Sequence, residues 1–466
     1  MSEHPSVIEQ LLASRGCETP EQIRASELDR PPDDPSAAIE WMNAKHFVVR
    51  ESGKTVVITE EFDPELRRRV LKRSSFEDVR KFYCNRRVVL GWDEAGKPKK
   101  AILGNYWLNH ERRRQYEGIV CAPNSDPPGY YNLWQGFSVE PRQGDWSLMD
   151  THIRENICSG DGDQYRYVRG WLAFAVQHPD TLPEVALVMR GKEGTGKGVA
   201  AREFGSLFGQ HFLHLARKRN LVGNFNAHLR DAIVVFADEA FLADDQEAEN
   251  VLKAMITEPE QNIERKFQDV VTTKNLIHLM VASNSDRIIN ASAEARRFCV
   301  LDVSDAHMQD HEYFAAIAKQ MAEGGREAML YDLLHEDLSD FNPRKFPVTA
   351  ALEDQKVRSM SGVEKWWFDK LRRGRLLGQH VDWQLEILRD DLLKDYRIAM
   401  GNRRDEAQDL RNHLAKLLPS PYPRPGPRVS VNGERKRTWV LPMLADCRAH
   451  FAAMFRMSND WPEDDE

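Results

Sequence analysis

The chain has 466 residues, 41% of them hydrophobic, with 65 Lys and Arg against 73 Asp and Glu; that length holds about three packed domains at ~100–200 residues each. The formal net charge of −8 gives no global attraction to nucleic acid, so contact with DNA has to come from local basic patches. Six cysteines without a CxxC pair argue against a zinc knuckle or disulfide framework, and there is neither an apolar run near the ~18 residues of a membrane span nor the apolar core of a signal peptide in the first 30 residues.

In chain order, residues 1–150 are charged and rich in tryptophan, with a proline-rich connector (RPPDDP, 30–35) and a later loop signal (APNSDPPG, 122–129). They read as an N-terminal α+β accessory region. Residues 151–310 open with amphipathic helical patterns and continue as apolar strands separated by helices: VALVMR (185–190), AIVVFA (232–237), LIHLMVAS (276–283) and FCVLDVS (298–304). Buried strands in that alternation predict a parallel α/β sheet. Residues 311–466 read as mostly helical until SPYPRPGPR (420–428), after which VSVNGERKRTWVLP forms a hairpin turning at Asn432 and Gly433. Helix, basic hairpin and then helix (MLADCRAHFAAMF) is the order of a winged-helix-like module. The acidic end, 463–466, reads as a disordered tail.

VALVMR runs directly into GKEGTGKG, that is Gly191, Lys192, Glu193, Gly194, Thr195, Gly196, Lys197 and Gly198, and from Val199 into a helix-compatible stretch. Glycines let successive backbone N–H groups turn inward around phosphates, and the helix N-terminus adds the positive end of its dipole. Lys197 is placed to reach the β and γ phosphates of ATP. The pattern departs from GxxxxGK[ST] at its last position, where Gly198 replaces the hydroxyl that normally ligates magnesium. Glycine-rich turns between a strand and a helix also occur for structural reasons.

AIVVFADEA sets Asp238 and Glu239 at the carboxyl end of a buried strand. Asp238 suits holding Mg²⁺ through water, and Glu239 suits orienting or deprotonating the attacking water; without the upstream loop, the pair would read as a helix cap. Asn284, at the tip of LIHLMVAS, can hydrogen-bond the γ phosphate or the water, although Asn is also an ordinary turn former. Arg296 and Arg297 precede FCVLDVS and suit an arginine supplied to a neighbouring subunit's transition state, or a surface ion pair.

Taken in order, GKEGTGKG, VVFADEA, ERKFQD, MVASNSD and EARRF resemble the superfamily 3 helicases, most of all the helicase portion of phage and plasmid primase-helicase proteins (D5-like, DUF5906-like). IEWMNAKHFVV (39–49), RRQYEGIVCAP (113–123), YYNLWQGFSVEP (130–141) and NFNAHL (224–229) resemble that phage family as well. The resemblance covers most of 38–304. It implies an AAA+-like P-loop NTPase core at 151–310 and a ring, hexameric in such families, with ATP and Mg²⁺ at subunit interfaces. It further implies movement along single-stranded or forked DNA, in replication of a phage or mobile element in the cytoplasm of a bacterial host. In these rings ERKFQD, a hairpin by its β-branched flanks, projects into the central channel, so Lys266 would hold a phosphate and Phe267 would pack on a sugar or base. The first 150 residues are short for a catalytic primase domain and show no acidic metal cluster, so a primase or polymerase would be a separate protein. The alternative reading is a nucleotide-gated origin-binding initiator or loader that hydrolyses ATP slowly.

Outside these motifs, Arg435, Lys436 and Arg437, with Arg424 and Arg428 before them, make the C-terminal hairpin a candidate for DNA phosphates. The basic clusters at 67–73 and 112–114 fit either the DNA backbone or a solvated face. His307 and His311 have the i, i+4 spacing of a helical metal pair, with no obvious third ligand.

Overall fold

The computed structural model describes residues 31–51, 53–63, 68–216, 226–238, 246–264, 270–285, 296–401, 407–431, 433–458 and 461. The chain divides into two compact units, Met1–Gln135 and Gly136–Glu466.

The first unit runs α1 (Pro35–Lys45), β1 (His46–Glu51), β2 (Lys54–Asp63), β3 (Arg68–Ser74), α2 (Phe76–Phe82), β4 (Arg87–Trp92), β5 (Pro98–Ile102), α3 (Leu103–Leu108), β6 (Gln115–Tyr116), β7 (Gly118–Val120) and β8 (Tyr130–Asn132). Asp34 caps α1 by accepting from the Ala37 amide, and Ser75 with Asp78 forms a capping box at α2. The main sheet has the order β3-β2-β1-β6. Strand alternation sends Phe47, Val49, Val56 and Ile58 to one face, against Tyr131 and Leu133. Val48 and Val57 go to the other, against Ile39, Met42 and Trp107. Five described members of the basic clusters pair with carboxylates of this unit: Arg69 and Arg114 reach Glu60 (3.6 and 2.6 Å), Arg73 reaches Glu51 (3.0 Å) and Arg112 reaches Glu40 (3.4 Å); Lys72 pairs with Glu61.

The second unit contains α4 (Gly162–Gln177), β9 (Ala186–Arg190), α5 (Lys197–Ser206), β10 (Phe212–Leu215), β11 (Val234–Asp238), α6 (Gln246–Thr257), β12 (Glu260–Ile263), β13 (Val271–Lys274), β14 (His278–Ser283) and β15 (Phe298–Asp302). Its central sheet has the order β10-β11-β14-β9-β15, with every neighbouring pair parallel. β9, β11, β14 and β15 lie on the four apolar runs read from the sequence, and they are buried almost throughout. The fifth strand, β10, was not expected. It is a half-buried edge strand, and FLHL is too short and mixed to show a period.

β12 and β13 pair antiparallel from Glu260↔Lys274 to Ile263↔Val271, which makes the ladder of the expected hairpin; its tip, with Lys266 and Phe267, lies outside the described residues.

There follow α7 (His311–Gln320), α8 (Arg326–His335), α9 (Ala350–Ser359), α10 (Gly362–Arg373), β16 (Glu386–Leu388), α11 (Arg389–Met400), α12 (Ala407–Leu417), β17 (Arg424–Val431), β18 (Glu434–Val440) and α13 (Leu444–Phe455). The boundaries expected at 150 and 310 move. Residues 136–150 pack into the second unit: the Trp146 indole donates to Asp332 at 2.7 Å and the Leu148 amide to Gln320 at 3.0 Å. Past 310, Gln177 donates to the carbonyls of Leu333 and Glu336 at 2.8 Å, and Ala351 and Leu352 join the core beneath the central sheet. A separate core begins only near 360, around Trp366, Trp367, Tyr396, Leu410, Trp439 and Phe451. It carries the antiparallel sheet β16-β18-β17 with α10–α13, and Gly433, in the hairpin turn, has φ +86°.

Candidate functional site

Because the sheet is parallel, the carboxyl ends of β9, β11 and β14 share one edge, the edge where open α/β sheets bind ligands. Asp238 pairs in register with Ala282, and Ser283 with Arg190, so the end of β11 and the start of the glycine loop flank the end of β14. The Gly191 amide donates to the Ser283 carbonyl at 3.1 Å, which ties the loop to that strand.

The loop's shape depends on two glycines. Gly194 and Gly196 have φ +79° and +87°, the left-handed region that L side chains avoid. A Cβ on Gly196 would also stand 2.5 Å from the His152 ring and 2.6 Å from Phe314. Below the loop, Asn156 Nδ2 donates to the Thr195 carbonyl at 2.6 Å, and His152 Nε2 lies 3.3 Å from the Gly196 carbonyl. α5 then begins at Lys197, so its first N–H groups, which no helix can pair internally, face the loop's end.

The loop borders a cavity of about 450 Å³ shared by Lys197, Gly198, Arg202, Asp238, Asn284 and His311. Glu193, Gly194, Thr195, Gly196 and Val199 border it too, while Lys192 turns to Asp305 at 2.7 Å. Lys197 is buried, its Nζ donating to the carbonyls of Gly191 and Lys192, both at 2.6 Å. Asp238 keeps a third of its side chain exposed and meets His214 Nε2 at 3.4 Å. Glu239 lies outside the described residues.

Arg296 and Arg297 are not at this edge. The Arg297 carbonyl accepts from the Ala186 amide at 2.8 Å, and β15 begins beside Ala186, at the opposite end of β9 from the loop. Arg296 is exposed, and Arg297 has a buried Nε without a hydrogen bond. His307 pairs with Asp310 at 3.1 Å and stacks on Tyr313, so it does not join His311.

Residues 189–297 match the model of a family of unknown function, DUF5906. The chain is also similar to the DNA primase-polymerase of Nitratiruptor phage NrS-1, 29% identical over 271 residues, which is 56% of this chain and 36% of that protein. The match therefore spans about a third of the relative's length. Two structures of the apo NrS-1 C-terminal region share the fold, both with a TM-score of 0.61. One is 17% identical and covers 86% of this chain and 97% of the other; the second is 16% identical and covers 85% and 96%.

Three residues of the site were not legible in sequence. Arg202 sits one helical turn beyond Gly198, and a Cβ on Gly198 would lie 2.6 Å from its Nη1. The missing side chain leaves room for a guanidinium over the start of α5. Gly198 itself needs no left-handed φ, so its backbone accepts serine. His214 reaches Asp238 from the unexpected strand β10. His152 comes from a helical segment far upstream of the loop.

Burial holds the His152 imidazole down from the ordinary 6.5 to about 4, and does the same to His278. The unfolded chain then takes up protons below pH 6.5 that the folded unit refuses until about pH 4. Stability from these groups is complete above 6.5 and declines as pH falls through that window, by up to about 1.4 kcal/mol per pH unit for each histidine. Urea unfolding of the protein between pH 6.5 and 4.5 should show a shallower decline in His152→Gln than in the parent. Equal slopes would remove His152 from this account.

The hairpin triplet Arg435, Lys436 and Arg437 divides between two faces. Arg437 faces Arg428 and Arg435 faces Ser430, whereas Lys436 pairs with Val429 on the other side. The period of two in a strand forbids three consecutive side chains from forming one basic edge.

Proposed function

We propose that the second unit is a P-loop NTPase that binds ATP with Mg²⁺ and drives movement along single-stranded or forked DNA, as an AAA+-like superfamily 3 helicase does. The observation that carries this reading is the meeting of Lys197, Asp238 and Asn284 on one cavity, at the start of a helix whose preceding loop turns on two left-handed glycines. A chain of N–H groups, a buried ammonium and a helix N-terminus favour a polyphosphate. Lys197 exchanges its two carbonyl partners for β and γ oxygens. Asn284 orients the γ phosphate or the attacking water, with Glu239 as the base.

The residues fit a magnesium ion with few protein ligands: Asp238 would hold it through water, as Mg²⁺ prefers to keep much of its hydration. The bound ion would neutralise charge between the β and γ phosphates. Similarity to a phage DNA primase-polymerase supports a role in copying the DNA of a phage or related element, in the cytoplasm of its host, with a primase or polymerase as partner. A ring, six subunits in such families, would place Arg296 or Arg297 at a neighbour's ATP.

A second reading, an origin-binding initiator that hydrolyses ATP slowly as a switch, is favoured by Gly198, which offers no oxygen to the metal. Strand displacement on forked DNA, measured beside DNA-stimulated ATP hydrolysis, separates the two. Unwinding coupled to turnover is expected. ATP hydrolysis without displacement would turn the reading to the switch, and no hydrolysis at all would defeat both.

A further inference from the structure

The C-terminal core contains a second cavity, of about 310 Å³, on which four arginines converge: Arg389, Arg411, Arg428 and Arg437. They come from three places in the chain, the first turn of α11, the middle of α12, and both strands of the β17–β18 hairpin. Arg428 and Arg437 are direct cross-strand partners, an arrangement that costs stability when both are charged. Arg389 opens α11, at the helix end that disfavours a cation. Its Nε is buried without a hydrogen bond, and the carboxylate it approaches, Asp390, stays 3.8 Å away. Among the described residues Arg411, Arg428 and Arg437 have no ion pair.

The cavity wall is built for this opening. Register shifts between Pro425 and Arg428, so that β17 carries one residue more than β18 there, a bulge that bends the strand outward. Thr438 fixes the bulge by donating from Oγ1 to the Pro427 carbonyl at 2.7 Å. Gly426 is required at its centre, because a Cβ would lie 2.3 Å from that hydroxyl. Trp439, almost fully buried, closes the floor. Four guanidinium groups gather around a bulged wall, three of them without an ion pair among the described residues and the fourth with Asp390 only at 3.8 Å, and an anion accepting several forked hydrogen bonds would offset the cost of these like charges. Arg435 continues the row on the same strand face, about 7 Å from Arg437 by strand rise, which suits an extended chain of phosphates better than a single ion.

We infer that this cavity binds a phosphate group of a nucleic-acid strand, with Arg389, Arg411, Arg428 and Arg437 as its ligands. It uses no residue of the nucleotide cavity and stands independently of the ATPase reading. The test is fluorescence anisotropy of the full chain with labelled oligo-dT, carrying either a 5′-phosphate or a 5′-hydroxyl. Arg411→Gln and Arg428→Gln should each weaken binding roughly tenfold, the scale of one charge-assisted hydrogen-bond set, and should lower the salt slope by about one per lost phosphate contact. Loss confined to the 5′-phosphorylated strand assigns the cavity to a terminal phosphate; equal loss on both assigns it to a backbone phosphate. Asp390→Asn removes the carboxylate nearest Arg389 and should tighten binding, a gain that misfolding does not produce. The inference is overturned if both arginine variants bind as the parent does, or if Asp390→Asn weakens binding in step with them.

Discussion

Arg296→Ala is expected to lower ATP turnover by roughly 10³-fold or more, the scale of an arginine supplied to a phosphoryl-transfer transition state. The sheet makes this a prediction about two subunits. β9 carries the loop at one end and pairs with the start of β15 at the other. Four strand steps at about 3.3 Å put Arg296 more than roughly 13 Å from the loop of its own subunit. A residue so placed acts, if it acts on phosphate, on a neighbour. Arg296 is exposed, whereas Arg297 is half-buried with its carbonyl tied to Ala186, so Arg296 is the better placed of the two to reach across an interface. Mixing Arg296→Ala subunits with Lys197→Ala subunits should restore part of the hydrolysis, because some interfaces then contain an intact loop facing an intact arginine. Turnover near the parent's in Arg296→Ala would show that Arg296 is not that group, and a fully active monomer by light scattering would show that no neighbour supplies one.

Lys197→Ala should cost ATP turnover at least about 10²- to 10³-fold, as loss of a preorganised group facing developing charge does. The ammonium is already inside the loop, held by the carbonyls of Gly191 and Lys192 and 3.3 Å from Thr195 Oγ1. That position keeps a cation at the cavity before any anion arrives. Alanine also leaves those carbonyls without their donor, a cost of about 1–3 kcal/mol where they stay buried, so the thermal midpoint should fall as well. Equilibrium binding of a fluorescent ATP analogue separates the two effects. A variant that unfolds at a lower temperature yet still turns over ATP near the parental rate would show that the loop's lysine supports the fold alone.

The parts of the molecule readable in sequence are those written in local pattern. β9, β11, β14 and β15 were visible because strands buried on both faces of a parallel sheet become continuous apolar runs. The loop was visible because left-handed backbone and close approach demand glycine at Gly194 and Gly196. Asn432-Gly433 marked the C-terminal hairpin because a two-residue turn needs those residues.

Other features depended on contacts between distant residues, and only the tertiary structure decided them. The edge strand β10 has one neighbour and a half-buried face, so its sequence carries no clear period. Residues 136–150 and 311–358 join the central core through Asp332, Gln177 and Val300, contacts that no local pattern announces. His152 and Asn156 buttress a loop some forty positions away. The triplet 435–437 reads in sequence as a basic hairpin, and the register decides that Arg435 and Arg437 share one face while Lys436 takes the other. No motif in the sequence singles out Arg389 or Arg411. Folding α11 and α12 against the bulged hairpin set them beside Arg428 and Arg437, because a charge cluster is defined by position in space and the chain encodes that only through its core.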